Sequence, residues 1–323
     1  MIEKIVSVVK NQALPLSMLS GAAGYLLFRF IPMLAPLKPL ADWAGTSLMP
    51  GLVFVMLFTT FCKVDPKEMR IQRWHIVVLA IQTMTCLCVS LLLYFFPECE
   101  YRIVLQGALV CLIAPTGTAA AVIAGRLGGN ETTLTTYTMI SNMASAVMIP
   151  AIFPLVEEHS AGSFVLQFLI ILRHVFPLLI CPFLMAWGLR VFLPKIHRVV
   201  VHFCGSLAFY LWAVSLAIAT GLTLRSIANS PFDAHVMWLL AMAALIACIW
   251  QFGTGKVIGR HYDDYIACGQ GSGQKSTIFA IWIALTYLSP VVSIAPSSYI
   301  LWQNCVNSWQ IWKRQKRLKK TII

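Results

Sequence analysis

The sequence predicts an all-α integral membrane protein, in which ten transmembrane helices form an inverted five-plus-five repeat and two of the helices are broken and cross each other. Three observations lead to this prediction. Long apolar runs recur along the chain, two of them contain helix-breaking residues, and basic residues gather in alternate connections. Hydrophobic residues make up 59% of the 323 residues and charged residues only 11%, with a mean hydropathy of +0.79. This composition is typical of a polytopic membrane protein.

Ten apolar runs have roughly the 20 residues that a helix needs to cross a bilayer. They occupy residues 14–34, 40–62, 75–96, 103–127, 132–156, 164–187, 200–222, 236–257, 265–288 and 291–312. An even number of spans places both termini on the same side of the membrane.

The distribution of Lys and Arg indicates which side that is, because connections on the cytoplasmic side carry an excess of basic residues. With cytoplasmic termini, most of the 24 basic residues fall inside, and the opposite face receives only Arg29, Lys38, Arg102 and Arg225. We therefore expect a multi-pass protein of the cell (inner, cytoplasmic) membrane with both termini in the cytoplasm. The net charge of +12 then reflects orientation and a basic tail on anionic lipid, and no nucleic-acid partner is expected.

Two apolar runs, the fourth and the ninth, are interrupted by residues that break helices. The interruptions are Pro115-Thr116-Gly117-Thr118 and the glycine-rich segment 269–276. Irregular backbone at the depth of a bilayer is tolerated only inside protein or beside a water-filled cavity. Matching breaks in both halves are the sequence signal of a transporter's substrate site. The half-helices that begin at Thr118 and Ser276 would direct positive dipole ends into one cavity, which favours an anion.

The position of the two breaks divides the chain into two repeats, residues 1–158 and residues 163–323, the second ending in the basic tail. Each repeat has five spans, with the break in its fourth. Because five is odd, the second repeat enters the membrane with opposite polarity, which makes the repeat an inverted one.

Four segments resemble the bile acid:sodium symporter family in order and spacing. They are the second span with its following loop (48–57 and 62–68), Gln82 in the third span, the first break (114–121) followed by Gly129-Asn130, and Trp302-Gln303-Asn304 in the tenth span. The resemblance implies a ten-span carrier of organic anions such as bile acids, keto acids or sulfated compounds. It also implies alternating access between a core domain (spans 3–5 and 8–10) and a panel domain (spans 1, 2, 6 and 7).

The chain departs from this family at the positions that bind sodium in its sodium-coupled members. The family's Ser-Asn pair aligns with Ala120-Ala121, its Glu with Gln270 and its Gln with Gln274. Ala120 and Ala121 offer no side-chain oxygen and the site lacks its anionic ligand, while Thr138 and Gln82 remain as possible ligands. We therefore expect transport without sodium coupling.

Lys275 is the residue on which we base the expected mechanism, because a lysine within the membrane is costly and marks function by default. Three functional roles remain open: it fills the volume of the missing cation, it pairs with an anionic substrate, or it titrates together with the substrate. The structural alternative is a lysine that reaches the membrane interface or packs in neutral form.

The complete set of predicted substrate and ion pathway residues combines the breaks with polar residues of neighbouring spans. Thr138 and Asn142 belong to it because they lie four residues apart on one face of the fifth span. The set is Gln82, Pro115, Thr116, Gly117, Thr118, Thr138, Asn142, Gln270, Gly273, Gln274, Lys275, Ser276 and Asn304.

The predicted function is secondary active transport of small or amphipathic organic anions, with the anion and the lipid bilayer as partners. We predict no enzyme, no metal and no cofactor, and sodium or proton as a coupling ion stays open. A hydrolase is disfavoured because Gln270 stands where a Gly-x-Ser-Gly motif around Ser272 needs its first glycine. The alternatives are a sodium-coupled symporter with a rearranged ion site and a membrane receptor or scaffold that transports nothing. The sequence does not indicate the substrate, the direction of transport or the oligomeric state.

Overall fold

The computed structural model describes residues 13–31, 33, 36, 38–64, 67, 69–156 and 163–321. Its regular structure within these residues is helical. A five-residue π-helical segment (Ala44–Leu48) joins α2 to α3, and a 3₁₀ turn (Pro290–Ser293) precedes α13. The helices are α1 (Ala13–Phe30), α2 (Lys38–Trp43), α3 (Met49–Cys62), α4 (Arg73–Phe95), α5 (Arg102–Ile113), α6 (Ala119–Arg126), α7 (Glu131–Val156), α8 (Phe164–Phe192), α9 (Pro194–Ala228), α10 (Ala234–His261), α11 (Tyr265–Gly273), α12 (Thr277–Tyr287) and α13 (Ile294–Thr321).

Six helical segments in the described part of the chain are long and apolar enough to cross a membrane. They are Ala44–Cys62, Arg73–Phe95, Glu131–Val156, Phe164–Phe192, Tyr210–Ala228 and Ala234–His261. Two further apolar helices, α5 and α12, are too short to cross alone, and each adjoins a second short helix across a break. Within the described residues, each predicted apolar run overlaps one helix, such a pair, or, for the run 40–62, the continuous segment formed by α2, the π-helical residues and α3. The number of ten spans and the inverted repeat remain predictions.

Proline fixes several helix boundaries. Ala114 ends α5 in an extended conformation (φ −55°, ψ 139°), because the residue before Pro115 avoids the helical region. For the same reason Leu193 (φ −131°, ψ 58°) separates α8 from α9, which begins at Pro194. Proline at the first position of a helix loses no hydrogen bond, so it starts α9 without cost.

The helices pack in two sets that meet along α7 and α8. In one set, α1 packs against α9, and α3 packs against both α8 and α9. In the other, α10 packs against α11, α13 and α5, while α4 packs against α5 and α7. The apolar core passes through both sets, and α12 lies within it with residues 277–284 all buried.

The glycine-rich segment of the ninth predicted span is not the break itself, contrary to our prediction for residues 269–276. Residues 269–273 are helical and complete α11, and the irregular backbone is confined to residues 274–276. These glycines instead permit close packing: a Cβ at Gly273 would lie 2.3 Å from the Phe252 ring, and one at Gly269 would lie 2.9 Å from Lys256 Cγ. On α10, Gly255 and Gly259 similarly face the backbone of α11. Small residues four apart let membrane helices approach closely.

Candidate functional site

The two helix breaks meet inside the protein and pair with each other. Thr116 and Lys275 form a short antiparallel bridge. The amide N–H of Gly117 donates to the carbonyl oxygen of Gln274 at 2.8 Å, and the N–H of Ser276 donates to that of Pro115 at 2.8 Å. Each break therefore supplies hydrogen-bond partners for peptide groups that the other break has removed from a helix.

Side chains from neighbouring helices accept hydrogen bonds from two further peptide groups of the bridge. Ser141 Oγ on α7 accepts from the N–H of Thr116 at 3.0 Å, and Gln303 Oε1 on α13 accepts from the N–H of Lys275 at 3.0 Å. Thr116 Oγ1 donates to the carbonyl oxygen of Gly271 at 2.7 Å. The bridge is thus held from both sides, by α7 and by α13.

The last carbonyl groups of α5 and α11 are also bonded, although a helix end leaves such groups without partners of its own. Gln82 Nε2 on α4 donates to the Leu112 carbonyl at 3.0 Å, and Ser145 Oγ donates to that of Ile113 at 2.9 Å. Tyr299 Oη donates to the Gly273 carbonyl at 2.8 Å and accepts from Gln251 Nε2 at 3.1 Å. Helices α4, α7, α10 and α13 therefore each contribute a polar side chain to this region.

A cluster of carboxamides lies between α11 and α13. Gln270 Nε2 donates to Asn307 Oδ1 at 3.0 Å, and Asn307 Nδ2 donates to Gln274 Oε1 at 2.7 Å. Gln270 Oε1 has no hydrogen-bond partner among the described residues. Gln270 and Gln274 are therefore neutral amides that both bond to a third amide, Asn307.

Lys275 lies at the point where the breaks cross, and its side chain is only 2% exposed. Its Nζ has no hydrogen-bond partner within the described part of the chain. An ammonium group removed from water is strongly unfavourable unless an anion or hydrogen-bond acceptors replace its hydration.

The predicted pathway residues divide into those that bond to the breaks and those that do not. Residues that form or flank the breaks are Pro115, Thr116, Gly117, Thr118, Gln274, Lys275 and Ser276. Gln82 donates to the carbonyl groups of Leu112 and Ala114 at the end of α5, Gln270 belongs to the carboxamide cluster, and the carbonyl group of Gly273 accepts from Tyr299 Oη. Thr138 and Asn142 are buried on α7, but Thr138 Oγ1 donates to Leu134 O and Asn142 Nδ2 donates to Thr138 O. Asn304 Nδ2 likewise donates to Ile300 O of its own helix.

Gln251 on α10 was missed by our sequence reasoning, and the other missed residues lie on the helices of predicted residues, at neighbouring positions. On α7 the contacts come from Ser141 and Ser145, and on α13 from Tyr299, Gln303 and Asn307. Both groups have a spacing of four, which places their members on one helix face. A stripe of polar residues four apart in an apolar helix was the signal that could have identified them.

Apolar helices around buried, mutually paired helix breaks are typical of a multi-pass membrane transporter. A sequence model of the sodium bile acid symporter family matches residues 49–230, which is more than half of the chain. The chain belongs to the sodium bile acid symporter family, whose members are transporters and not enzymes. The matched residues include the first break, while the second break with Lys275 lies beyond them. None of the curated proteins compared with the chain gives a match.

Proposed function

We propose that this protein is a secondary active transporter of small or amphipathic organic anions that works by alternating access. The observation that carries the proposal is Lys275, a buried cationic residue without a hydrogen-bond partner among the described residues, at the crossing of two helix breaks. A substrate anion would supply the missing partner. Side chains within membrane helices that could carry an unpaired charge are expected to mark substrate or ion pathways.

The helix N-termini near Lys275 also favour a negatively charged ligand. α6 begins at Ala119 and α12 at Thr277, immediately after the two breaks. The N-terminus of a helix carries a partial positive charge and free N–H groups, so it stabilises an anion. Two such ends and one lysine make an anion the expected occupant.

We propose further that transport is not coupled to sodium. Ala120 is buried and offers no side-chain oxygen, and the amides of Gln270 and Gln274 are engaged by Asn307. A hard cation prefers several oxygen ligands that include carboxylates. The second candidate is a sodium-coupled symporter with a rearranged ion site, which the unpartnered Gln270 Oε1 favours.

The division into a moving core and a panel is supported by the packing of the helices. α1, α3, α8 and α9 pack on one another, as expected for a panel of spans 1, 2, 6 and 7. The breaks are surrounded by α4, α5, α7, α10 and α13, as expected for the core of spans 3–5 and 8–10. Since Lys275 is almost completely buried, substrate access requires one set of helices to move against the other. We propose this motion for a ten-span protein of the cell membrane with cytoplasmic termini.

Solute uptake by proteoliposomes tests the proposal directly. Purified protein would be offered a panel of labelled carboxylates and sulfated amphiphiles, with an inward sodium gradient, with an inward proton gradient, and with neither. We expect saturable uptake of at least one anion, at a rate that changes less than about twofold when sodium is replaced by potassium. Control vesicles lack protein.

Two results would contradict this expectation in different ways. Saturable activation by sodium that is lost in Gln82→Ala or Gln274→Ala would show that the second candidate is correct. Binding of an anion without any uptake, under all three conditions, would contradict transport itself and favour a receptor or scaffold.

A further inference from the structure

Three basic side chains surround two aromatic rings where α10, α11 and α13 come together. Lys256 Nζ lies 5.8 Å from the ring centroid of Tyr265 and 5.5 Å from that of Trp309. The guanidinium carbon of Arg260 lies 5.3 Å from the Tyr265 ring, and Lys313 Nζ lies 4.9 Å from the Trp309 ring. We call these five residues the basic–aromatic cluster.

Within the described part of the chain, the cations of the basic–aromatic cluster form no ion pair with a carboxylate. Lys313 and Arg260 both act on Lys256 as like charges. The adjacent carboxylate of Asp264 is engaged by Thr133 Oγ1 at 2.9 Å, and among the described residues no carboxylate lies within ion-pair distance of the three cations. Cation–π contacts offset part of the repulsion, but the cluster retains the charge to attract an anion.

Packing fixes the position of one cation while the cluster remains accessible. A Cβ at Gly269 would lie 2.9 Å from Lys256 Cγ, so the aliphatic part of Lys256 lies directly on the backbone of α11. Trp309 is 51% exposed and Tyr265 is 38% exposed. A ligand can therefore reach the cations from outside the helix bundle.

An apolar strip on α10 continues from the cluster along the same helix face. Arg260, Lys256, Gly253 and Ile249 follow one another at spacings of four, three and four residues. Ile249 is exposed, and nothing lies within 4 Å of the position that a Cβ on Gly253 would take. This surface thus combines a cationic end with an exposed apolar strip.

We propose that the basic–aromatic cluster binds the phosphate headgroup of an anionic phospholipid, with one acyl chain lying along the strip at Gly253 and Ile249. Tyrosine and tryptophan are enriched at the level of lipid headgroups, and basic pockets between membrane helices recognise anionic headgroups. A soluble phosphate would bind to the cations but would not cover the apolar strip. The proposal does not depend on the transport function proposed above.

Titration of the purified full-length protein with lipid, followed by native mass spectrometry, tests this site. Phosphatidylglycerol and phosphatidylcholine with identical acyl chains would be compared for wild type, Lys256→Gln/Arg260→Gln and the matched control Lys195→Gln/Arg198→Gln. The control removes the same charge from two exposed residues of α9. We expect wild type and control to prefer phosphatidylglycerol, and the Lys256/Arg260 variant to bind it about 30-fold more weakly, at about 1 kcal/mol per basic residue.

Several outcomes would overturn the proposal. These are no preference in wild type, an undiminished preference in the Lys256/Arg260 variant, or an equal loss in the control, which would indicate diffuse surface charge. Displacement of phosphatidylglycerol by millimolar inorganic phosphate would assign the site to a soluble phosphate instead. If the double variant does not fold, Lys313→Gln and Trp309→Leu carry the same comparison, and retention of full preference in both would contradict the site.

Discussion

The break between α5 and α6 carries no charged side chain, whereas the break between α11 and α12 carries Lys275. Both breaks have the same backbone requirements, and the two meet them reciprocally through the bridge of Thr116 and Lys275. Hydroxyl and amide side chains complete the first break, and an amide and a phenol complete the second. The backbone therefore accounts for the polar neighbours of both breaks, but it does not account for the lysine.

The half-helices that follow the two breaks also differ. In α12, residues 277–284 are all buried, while in α6 only Ala120 and Ala124 are. The second break thus leads into the centre of the protein and the first leads toward its surface. The ammonium group of Lys275, a residue that is only 2% exposed, is costly to remove from water, which supports the proposal that it is kept for function.

Of the changes that test this difference between the breaks, removal of Lys275 is expected to have the largest effect. Lys275→Ala and Lys275→Gln should each reduce the initial uptake rate at least about 30-fold, because truncating one partner of a buried charge pair costs about 2–5 kcal/mol. The rate would be measured at equal membrane expression, with Lys195→Ala as the control at an exposed lysine. Wild-type rates in both Lys275 variants would show that the charge at the second break is not used in transport.

A methyl group placed between the two breaks should have the next largest effect. In Gly117→Ala the new Cβ would lie 2.9 Å from the carbonyl oxygen of Lys275, a backbone atom that cannot move aside as a side chain can. We expect a loss of about 1–3 kcal/mol in stability, visible as a lower melting temperature in detergent.

Gly51→Ala is the matched control for this substitution. Gly51 lies within α3 and has nothing within 4 Å of the Cβ position, so the replacement should leave stability unchanged or raise it. Equal melting temperatures for Gly117→Ala and wild type would show that the bridge tolerates separation of the two breaks.

The carboxamide cluster offers a smaller test, which separates two asparagines on α13. Asn307→Leu leaves Gln270 Nε2 and Gln274 Oε1 each without the Asn307 partner, which costs about 1–3 kcal/mol in a buried site. Asn304→Leu removes a bond to its own helix only and should change the melting temperature little. If Asn304→Leu lowered the melting temperature more than Asn307→Leu, the residue that supports the second break would be Asn304, the asparagine predicted from the sequence.

The positions of the helices and of the first break could be predicted because their signals are local. Apolar runs define the helices, and Pro115 forbids the helical conformation at Ala114. The second break was placed too early because glycine tolerates helical as well as irregular backbone. Glycine is needed at positions 269 and 273 because Lys256 and Phe252, which belong to another helix, pack closely there.

The contacts of the site were predictable only to within one helical position. Asn304 was predicted, but Gln303 and Asn307 make the contacts with the second break and its cluster. One residue along a helix rotates the side chain by about 100°, and the rotation of a helix about its axis is set by tertiary packing. Polarity in the tenth span was therefore recognisable from the sequence, while the face that it occupies was not.

The bridge between the breaks has a consequence for the order of events during biosynthesis. Thr116 Oγ1 bonds to Gly271, 155 residues later in the chain. At a synthesis rate of about 5–20 residues per second, roughly 8–30 s pass between the two residues. During that interval the first break has been synthesised but its partner has not. Its peptide groups must then bond to water, to the insertion machinery or within a transient helix. The first half of the protein therefore reaches its final hydrogen bonding only after the second half has been synthesised.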